Sequence, residues 1–157
     1  MKKILVVYYS HSGNTKKLAE KIAEFTGADL LELAPEQAYP QDYNTVVEQA
    51  KKEIQAGFYP KLKNKLPQIE QYDTVLAGTP NWWSTMAPPV GTFLKSCNFN
   101  GKKVAVFVTH GGGGFGYIER DFKSLCQGAE VMSGYSVYVS FFRESDVKSW
   151  LTKNKIL

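Results

Sequence analysis

Cysteine is nearly absent: the 157-residue chain has two, Cys97 and Cys126, in no CxxC pair and beside no histidine. That excludes a disulfide framework and a zinc site. Long apolar runs are missing too. The longest last a handful of residues, where a spanning helix needs ~20, so no membrane partner is expected. The N-terminus opens Met-Lys-Lys and turns apolar from Ile4 to Tyr9. No small-residue cleavage site follows, so it does not read as a signal peptide, and the expected location is cytoplasmic. A strong charge of one sign is also lacking. The net charge is +4, from 19 basic and 15 acidic residues. Residues 1–78 balance ten against ten, and the excess of nine over five in 79–157 is scattered. No basic stripe interleaved with aromatics appears, so no nucleic-acid partner is expected. Repeats, linkers and low-complexity segments are absent, which makes residues 1–157 one domain.

What is present is an ordinary globular balance, 43% apolar and 22% charged residues, enough for a core. Residues 3–9 form a continuous apolar run rich in β-branched side chains, the pattern of a strand buried on both faces. Leu18, Ile22 and Phe25 at i, i+4 and i+7 predict an amphipathic helix over 14–26, stopped by Gly27. The same reading predicts strands at 29–33, 74–78, 103–108 and 137–142. Helices are predicted at 43–58, after Pro88-Pro89, at 116–125, and over 145–151 with Ser145 as its cap. Five strands alternate with helices, and apolar strands in such an alternation mean an α/β fold, a parallel sheet covered on both faces. Ligands of such sheets sit beyond the carboxyl ends of the strands.

Three loops lie at that end. The first reads Ser10-His11-Ser12-Gly13-Asn14-Thr15 and runs straight into a helix. Hydroxyl side chains, a glycine and the helix N-terminus suit a phosphate dianion without any lysine or arginine. It is neither a Walker loop nor a GxGxxG; the plainer alternative is a helix cap from Ser12 or Asn14. The second reads Gly78-Thr79-Pro80-Asn81-Trp82-Trp83-Ser84. Two adjacent tryptophans in a loop cannot both face a core, so at least one lies exposed or flat against a bound ring. The third is Thr109-His110-Gly111-Gly112-Gly113-Gly114-Phe115-Gly116, whose glycines lose chain entropy unless something must approach the backbone closely.

These three loops resemble those of the flavodoxins, specifically short-chain, flavodoxin-like proteins with Trp-Trp and Thr-His-Gly-Gly-Gly loops. The resemblance covers about residues 3–142. It implies a three-layer α/β/α sandwich on a five-stranded parallel sheet in the order 2-1-3-4-5, with FMN at the switch point, the arrangement for which flavodoxin is itself the reference example. It also implies phosphate binding by Ser10, His11, Ser12, Gly13, Asn14 and Thr15. The flavin ring would lie between residues 79–84 and 109–116, with Trp82 stacked on it. Thr79, Pro80, Asn81 and Trp83 would line its edge, and Thr109, His110, Gly111, Gly112, Gly113 and Phe115 its other side. Tyr39 and Tyr43 form a candidate rim.

Three departures from the family pattern carry expectations. Trp83 stands where many flavodoxins have the glycine whose peptide turns over on reduction, so a less stabilised half-reduced flavin is expected. The 109–116 loop lacks the usual acidic residue and stacking tyrosine, which predicts a less negative second potential. The chain is basic where carriers of the family are acidic. The favoured function is electron transfer through noncovalently bound FMN, with a redox partner protein. The alternative is an FMN-dependent NAD(P)H:quinone or azo-type oxidoreductase acting on a small quinone-like substrate. A third reading is a non-enzymatic flavodoxin-fold binding or sensor module. No residue reads as catalytic, and none as a metal ligand.

Overall fold

The N-terminal apolar run forms β1 (Ile4–Tyr8), every residue of it buried, in the computed structural model, which describes residues 3–157. Helix α1 (Asn14–Thr26) follows, then β2 (Asp29–Glu32) and α2 (Tyr43–Ala56). Strand β3 (Thr74–Trp82) turns back through a short antiparallel partner, β4 (Thr85–Met86), into α3 (Pro88–Lys95). The remaining elements are β5 (Lys103–His110), α4 (Ile118–Leu125), β6 (Glu130–Val131), β7 (Tyr135–Tyr138) and α5 (Glu144–Lys153). The sheet runs β2-β1-β3-β5, with β6 and β7 both paired to the far side of β5; among the described residues its strand pairs are parallel except β3–β4. This is the order 2-1-3-4-5 with the fifth strand in two pieces.

Side chains alternate across the strands, and two cores result. Leu5, Val7, Val75, Ala77, Val104 and Val106 pack with Val90 and Phe93 of α3 and Ile118 and Phe122 of α4. On the other face Val6, Tyr8, Leu76, Ala105 and Phe107 meet Leu18 and Ile22 of α1 and Trp150 and Leu151 of α5. Period two in the strands and period 3.6 in the helices thus meet as a three-layer sandwich.

The structure corrects several boundaries. The third strand continues past 78 to Trp82, because Thr79 and Pro80 still pair with Val108 and Thr109 of β5. What reads as a loop is therefore strand, and the turn shrinks to Trp83 and Ser84. The expected 137–142 strand is replaced by β6 and β7. Between them Gly134 passes so close to β5 that a Cβ there would stand 2.8 Å from the Val106 carbonyl oxygen. The Ser133 carbonyl accepts instead from the Trp150 indole N–H at 2.7 Å. Strand β7 stops at Tyr138 because Val139 enters the left-handed region, φ 55°. Ser145 does not cap the last helix; its N-cap position is Arg143, with no side-chain cap bond.

Candidate functional site

The carboxyl ends of β1, β3 and β5 open into a cavity of 420 Å³, within the size range of small-molecule sites. The first loop contributes His11, Ser12 and Asn14; β3 and its turn contribute Pro80, Asn81, Trp82 and Trp83; β5 and the residue after it contribute Thr109, His110 and Gly111. With Tyr43 of the candidate rim, eleven of the residues singled out from sequence therefore share one space. None of the lining residues is Lys, Arg, Asp or Glu.

Gly13 occupies the N-cap of α1 at φ 95°, a conformation open to glycine at little cost, and no side chain caps this helix. The Gly13 N–H is taken by the Ser10 hydroxyl at 3.1 Å, so Ser10 shapes the loop from within. Neither Ser12 nor Asn14 serves as a cap, and both line the cavity. Positive dipole and backbone donors of the first turn thus face a space that side chains leave to a ligand.

Thr15 and Thr109 are buried and share a hydrogen bond between their hydroxyls at 2.7 Å, which ties α1 to β5 beneath the cavity. Thr79 is fully buried; its hydroxyl donates to the Pro80 carbonyl at 2.8 Å and accepts from the Ala87 N–H at 3.0 Å. Its side chain joins β3 to the start of α3. Ser10, Gly13, Thr15, Thr79, Gly112, Gly113 and Phe115 are not among the lining residues, and Phe115 packs against the core on the α3–α4 face.

Asn81 bridges two segments. Its Nδ2 donates to the Gly114 carbonyl at 2.8 Å and its Oδ1 accepts from the Ser84 N–H at 2.9 Å. His11 Nε2–H donates to the Pro40 carbonyl at 2.8 Å, and His110 Nδ1 accepts from the Gly112 N–H at 3.0 Å. Each histidine therefore fixes a loop backbone.

The tryptophans part company. Trp82 is half-buried, edge-on to Tyr39 at 5.1 Å, to Tyr9 at 5.6 Å and to His11 at 6.0 Å between ring centroids. Tyr39 is itself held by Glu53, whose Oε1 accepts its hydroxyl at 2.5 Å. Burial, then that carboxylate, push the Tyr39 hydroxyl far above the ordinary tyrosine range, so it stays a donor. Trp83 is 48% exposed and its indole N–H donates to the Val47 carbonyl at 2.9 Å. It sits at φ 55° and Ser84 at φ 67°. The left-handed geometry expected to be costly at Trp83 is thus already adopted in the fold.

Sequence reading did not reach Val46, Val47 and Ala50 of α2, nor Val139, which line the cavity alongside Tyr43. The α2 residues look like core in sequence, and Val46 and Ala50 are indeed buried. Their placement follows from the Asp42 cap, whose carboxylate accepts from the Thr45 hydroxyl at 2.7 Å and N–H at 3.0 Å. Those bonds hold the Asp42 carboxyl below its usual range. Val139 has no sequence signal; only its left-handed turn, with its N–H donating to the His110 carbonyl at 2.7 Å, brings it to the wall.

The family model described as Flavodoxin matches residues 3–154. Among solved structures, a Bacteroides eggerthii protein described as a flavoprotein superposes with a TM-score of 0.86 at 30% identity, covering 98% of each chain. A flavoprotein of Lactobacillus acidophilus solved in complex with FMN gives a TM-score of 0.78 at 29% identity, covering 96% of this chain and 99% of that one. An NAD(P)H dehydrogenase (quinone) of Acidovorax ebreus is 29% identical over 131 residues, covering 71% of this chain. The chain spans about 60% of the length of the curated relatives it matches. Among the described residues no helix is long and apolar enough to cross a membrane.

Proposed function

This chain belongs to the flavodoxin family, and from that premise we propose that it binds FMN in the cavity beyond β1, β3 and β5 and carries electrons to or from a protein partner. The observation that carries this reading is the convergence of three segments, distant in sequence, on one space walled by an uncapped helix N-terminus and two indoles. Such a donor set fits a phosphate ester of a flat heteroaromatic ring. The first-turn amides of α1, with Ser12 and Asn14, would hold the phosphate without a cation. Trp82 and Trp83 would flank the ring, with Trp82 as the stacking face. The backbone at 109–111 would meet its polar edge. The FMN complex of the Lactobacillus acidophilus flavoprotein supports the same cofactor here.

Bound FMN supplies reversible one- and two-electron chemistry; the chain supplies position, shielding from water and electrostatics. Asn81 holds the 83–84 turn against the glycine loop, which sets the width of the slot. Because His110 Nδ1 accepts from Gly112, the neutral ring carries its proton on Nε2. No carboxylate lines the cavity. The ring would then gain negative charge with less repulsion than beside an acidic residue, which favours a less negative second potential.

A second reading, an FMN-dependent NAD(P)H:quinone or azo-type oxidoreductase, draws support from the name of the Acidovorax relative and from the lack of a stacking tyrosine in the glycine loop. One anaerobic experiment separates the readings. FMN-loaded protein is mixed with excess NADH or NADPH and the yellow absorption band followed. A band that persists until dithionite is added supports the carrier; rapid bleaching supports the oxidoreductase. Protein that takes up no FMN would defeat both and leave a flavodoxin-fold binding or sensor module.

A further inference from the structure

A second cavity of 400 Å³ lies on the other side of Trp83, bounded by the end of α2, the start of α3, β4 and α4. Its walls hold Phe58, Tyr59, Trp83 and Tyr117, between 39% and 59% exposed, four of the ten large apolar side chains exposed among the described residues. Such a concentration in one concavity marks a binding site more than chance exposure. Its walls are set firmly. Tyr59 lies over Gly91, where a Cβ would come within 2.4 Å of the ring, and Lys95 Nζ stands 4.4 Å from the ring centroid. The Arg120 guanidinium stands 4.4 Å from the Tyr117 ring centroid.

Charge decides the class of occupant. The lining side chains that carry charge are Glu53, Asp121 and Arg120, a balance of −1. Glu53 is occupied by Tyr39 and Gln49, and Asp121 accepts from the Thr85 hydroxyl at 2.6 Å and from Arg120 Nε at 3.2 Å. A nucleotide's phosphates have no place there. Arg120 keeps N–H donors beyond Nε, and the tyrosine hydroxyls add others, so a flat uncharged ring with carbonyl acceptors is matched in face and edge.

We propose that this cavity is a binding site for a quinone, separated from the flavin cavity by the thickness of the Trp83 indole. The inference rests on the redox reading of the first cavity. Trp83 lines both spaces, so a ring held here lies next to the electron source without displacing it.

The test titrates duroquinone, which has no ring position open to thiols, into isotope-labelled, FMN-loaded protein and follows backbone amide signals. Shifts at Thr85, Gly91 and Ser124 are expected. Ser124→Trp, on the exposed wall of α4, should weaken duroquinone binding at least tenfold with FMN affinity unchanged; Arg120→Ala should weaken it several-fold. Shifts confined to Asn81, Gly111 and Val139 would place the quinone in the first cavity and overturn the proposal, as would no shifts at all. So would second-cavity signals that move with protein concentration alone, which would mark cover by a second copy. Protein that fails to stay yellow after gel filtration defeats the FMN reading; yellow protein that ignores duroquinone defeats this inference alone.

Discussion

Trp82 and Trp83 are neighbours in sequence and share a cavity, yet they are held in opposite ways. Trp82 meets three aromatic rings edge-on, and one of these, Tyr39, is pinned to α2 through Glu53. Trp83 lies half in solvent on a left-handed turn, joined to α2 by one hydrogen bond, with Lys51 Nζ 5.3 Å from its ring centroid. A ring braced by packing presents a fixed face at no further entropic cost, whereas one held by a single bond keeps the freedom to adjust. The fixed side is suited to hold a cofactor, the adjustable side to face whatever approaches from outside.

The largest expected effect is that of Trp82→Ala. It removes a stacking face worth ~1–3 kcal/mol by analogy with base–aromatic stacking, and truncating a packed indole costs about 3 kcal/mol of fold stability. FMN titration by fluorescence and urea unfolding measure the two losses separately. Trp83→Ala should cost less in both. An equal or larger loss of FMN affinity at Trp83 would mean that the two indoles have exchanged roles.

Next comes the brace behind Trp82. Glu53→Leu leaves the Tyr39 hydroxyl buried without its acceptor, a cost of about 1–3 kcal/mol, and should weaken FMN binding several-fold. Glu53→Gln keeps an acceptor and should remain near wild type in both. If the two variants bind FMN equally well, Tyr39 does not position Trp82.

The other side can be probed through Cys126, buried at the end of α4. Burial, then Cys97, push its thiol up to about 12. Above the ordinary thiol pKa of ~8.5 the unfolded chain loses a proton that the fold retains. This stability contribution is fully present below that pH and falls as pH rises toward the folded value, by at most about 1.4 kcal/mol per pH unit. Cys126→Ala should flatten the fall of Tm between pH 9 and 11, and the native thiol should resist alkylation at pH 8. Fast alkylation would show that α4, and with it the second cavity, opens readily.

The smallest expected effect is electrostatic. Gly111 lines the cavity beyond β1, β3 and β5, with open space where its Cβ would stand. Gly111→Asp should make the second one-electron potential more negative by roughly 40 mV, the equivalent of about 1 kcal/mol between charges ~4 Å apart in water. An unchanged potential would place the ring away from the 109–111 wall.

Much of this was legible in the chain because the signals are local. Short apolar runs at 4–9, 75–77 and 104–108, each bounded by polar residues or glycine, read as strands covered on both faces, and Gly27 and Pro88 punctuate the neighbouring helices. The Ser-His-Ser-Gly-Asn-Thr run showed its character because backbone donors, small side chains and a helix start are all consecutive. The broken last strand was not legible. Residues 137–142 read as one continuous strand, yet the pairing to β5 ends at Tyr138, and that break depends on Val139 turning left-handed against the His110 carbonyl. Thr15 reads as a hydroxyl donor of the first loop, and the family resemblance puts Thr79 at the ring edge, yet both hydroxyls are consumed within the fold, Thr15 by Thr109 and Thr79 by the Pro80 carbonyl and the Ala87 N–H.

The sequence by itself determined the layer architecture, the end of the sheet where a ligand belongs, and the residue types offered there. Period, punctuation and consecutive donors are properties of a few neighbouring residues. Tertiary structure alone decided which hydroxyls remain free, which indole is braced, and that α2 and Val139 complete the wall. It also decided that Phe58, Tyr59, Trp83 and Tyr117 surround one hollow. Each of these depends on atoms brought together across many residues of chain. Hydrogen bonds and ring contacts are short-ranged in space, whatever their separation in sequence.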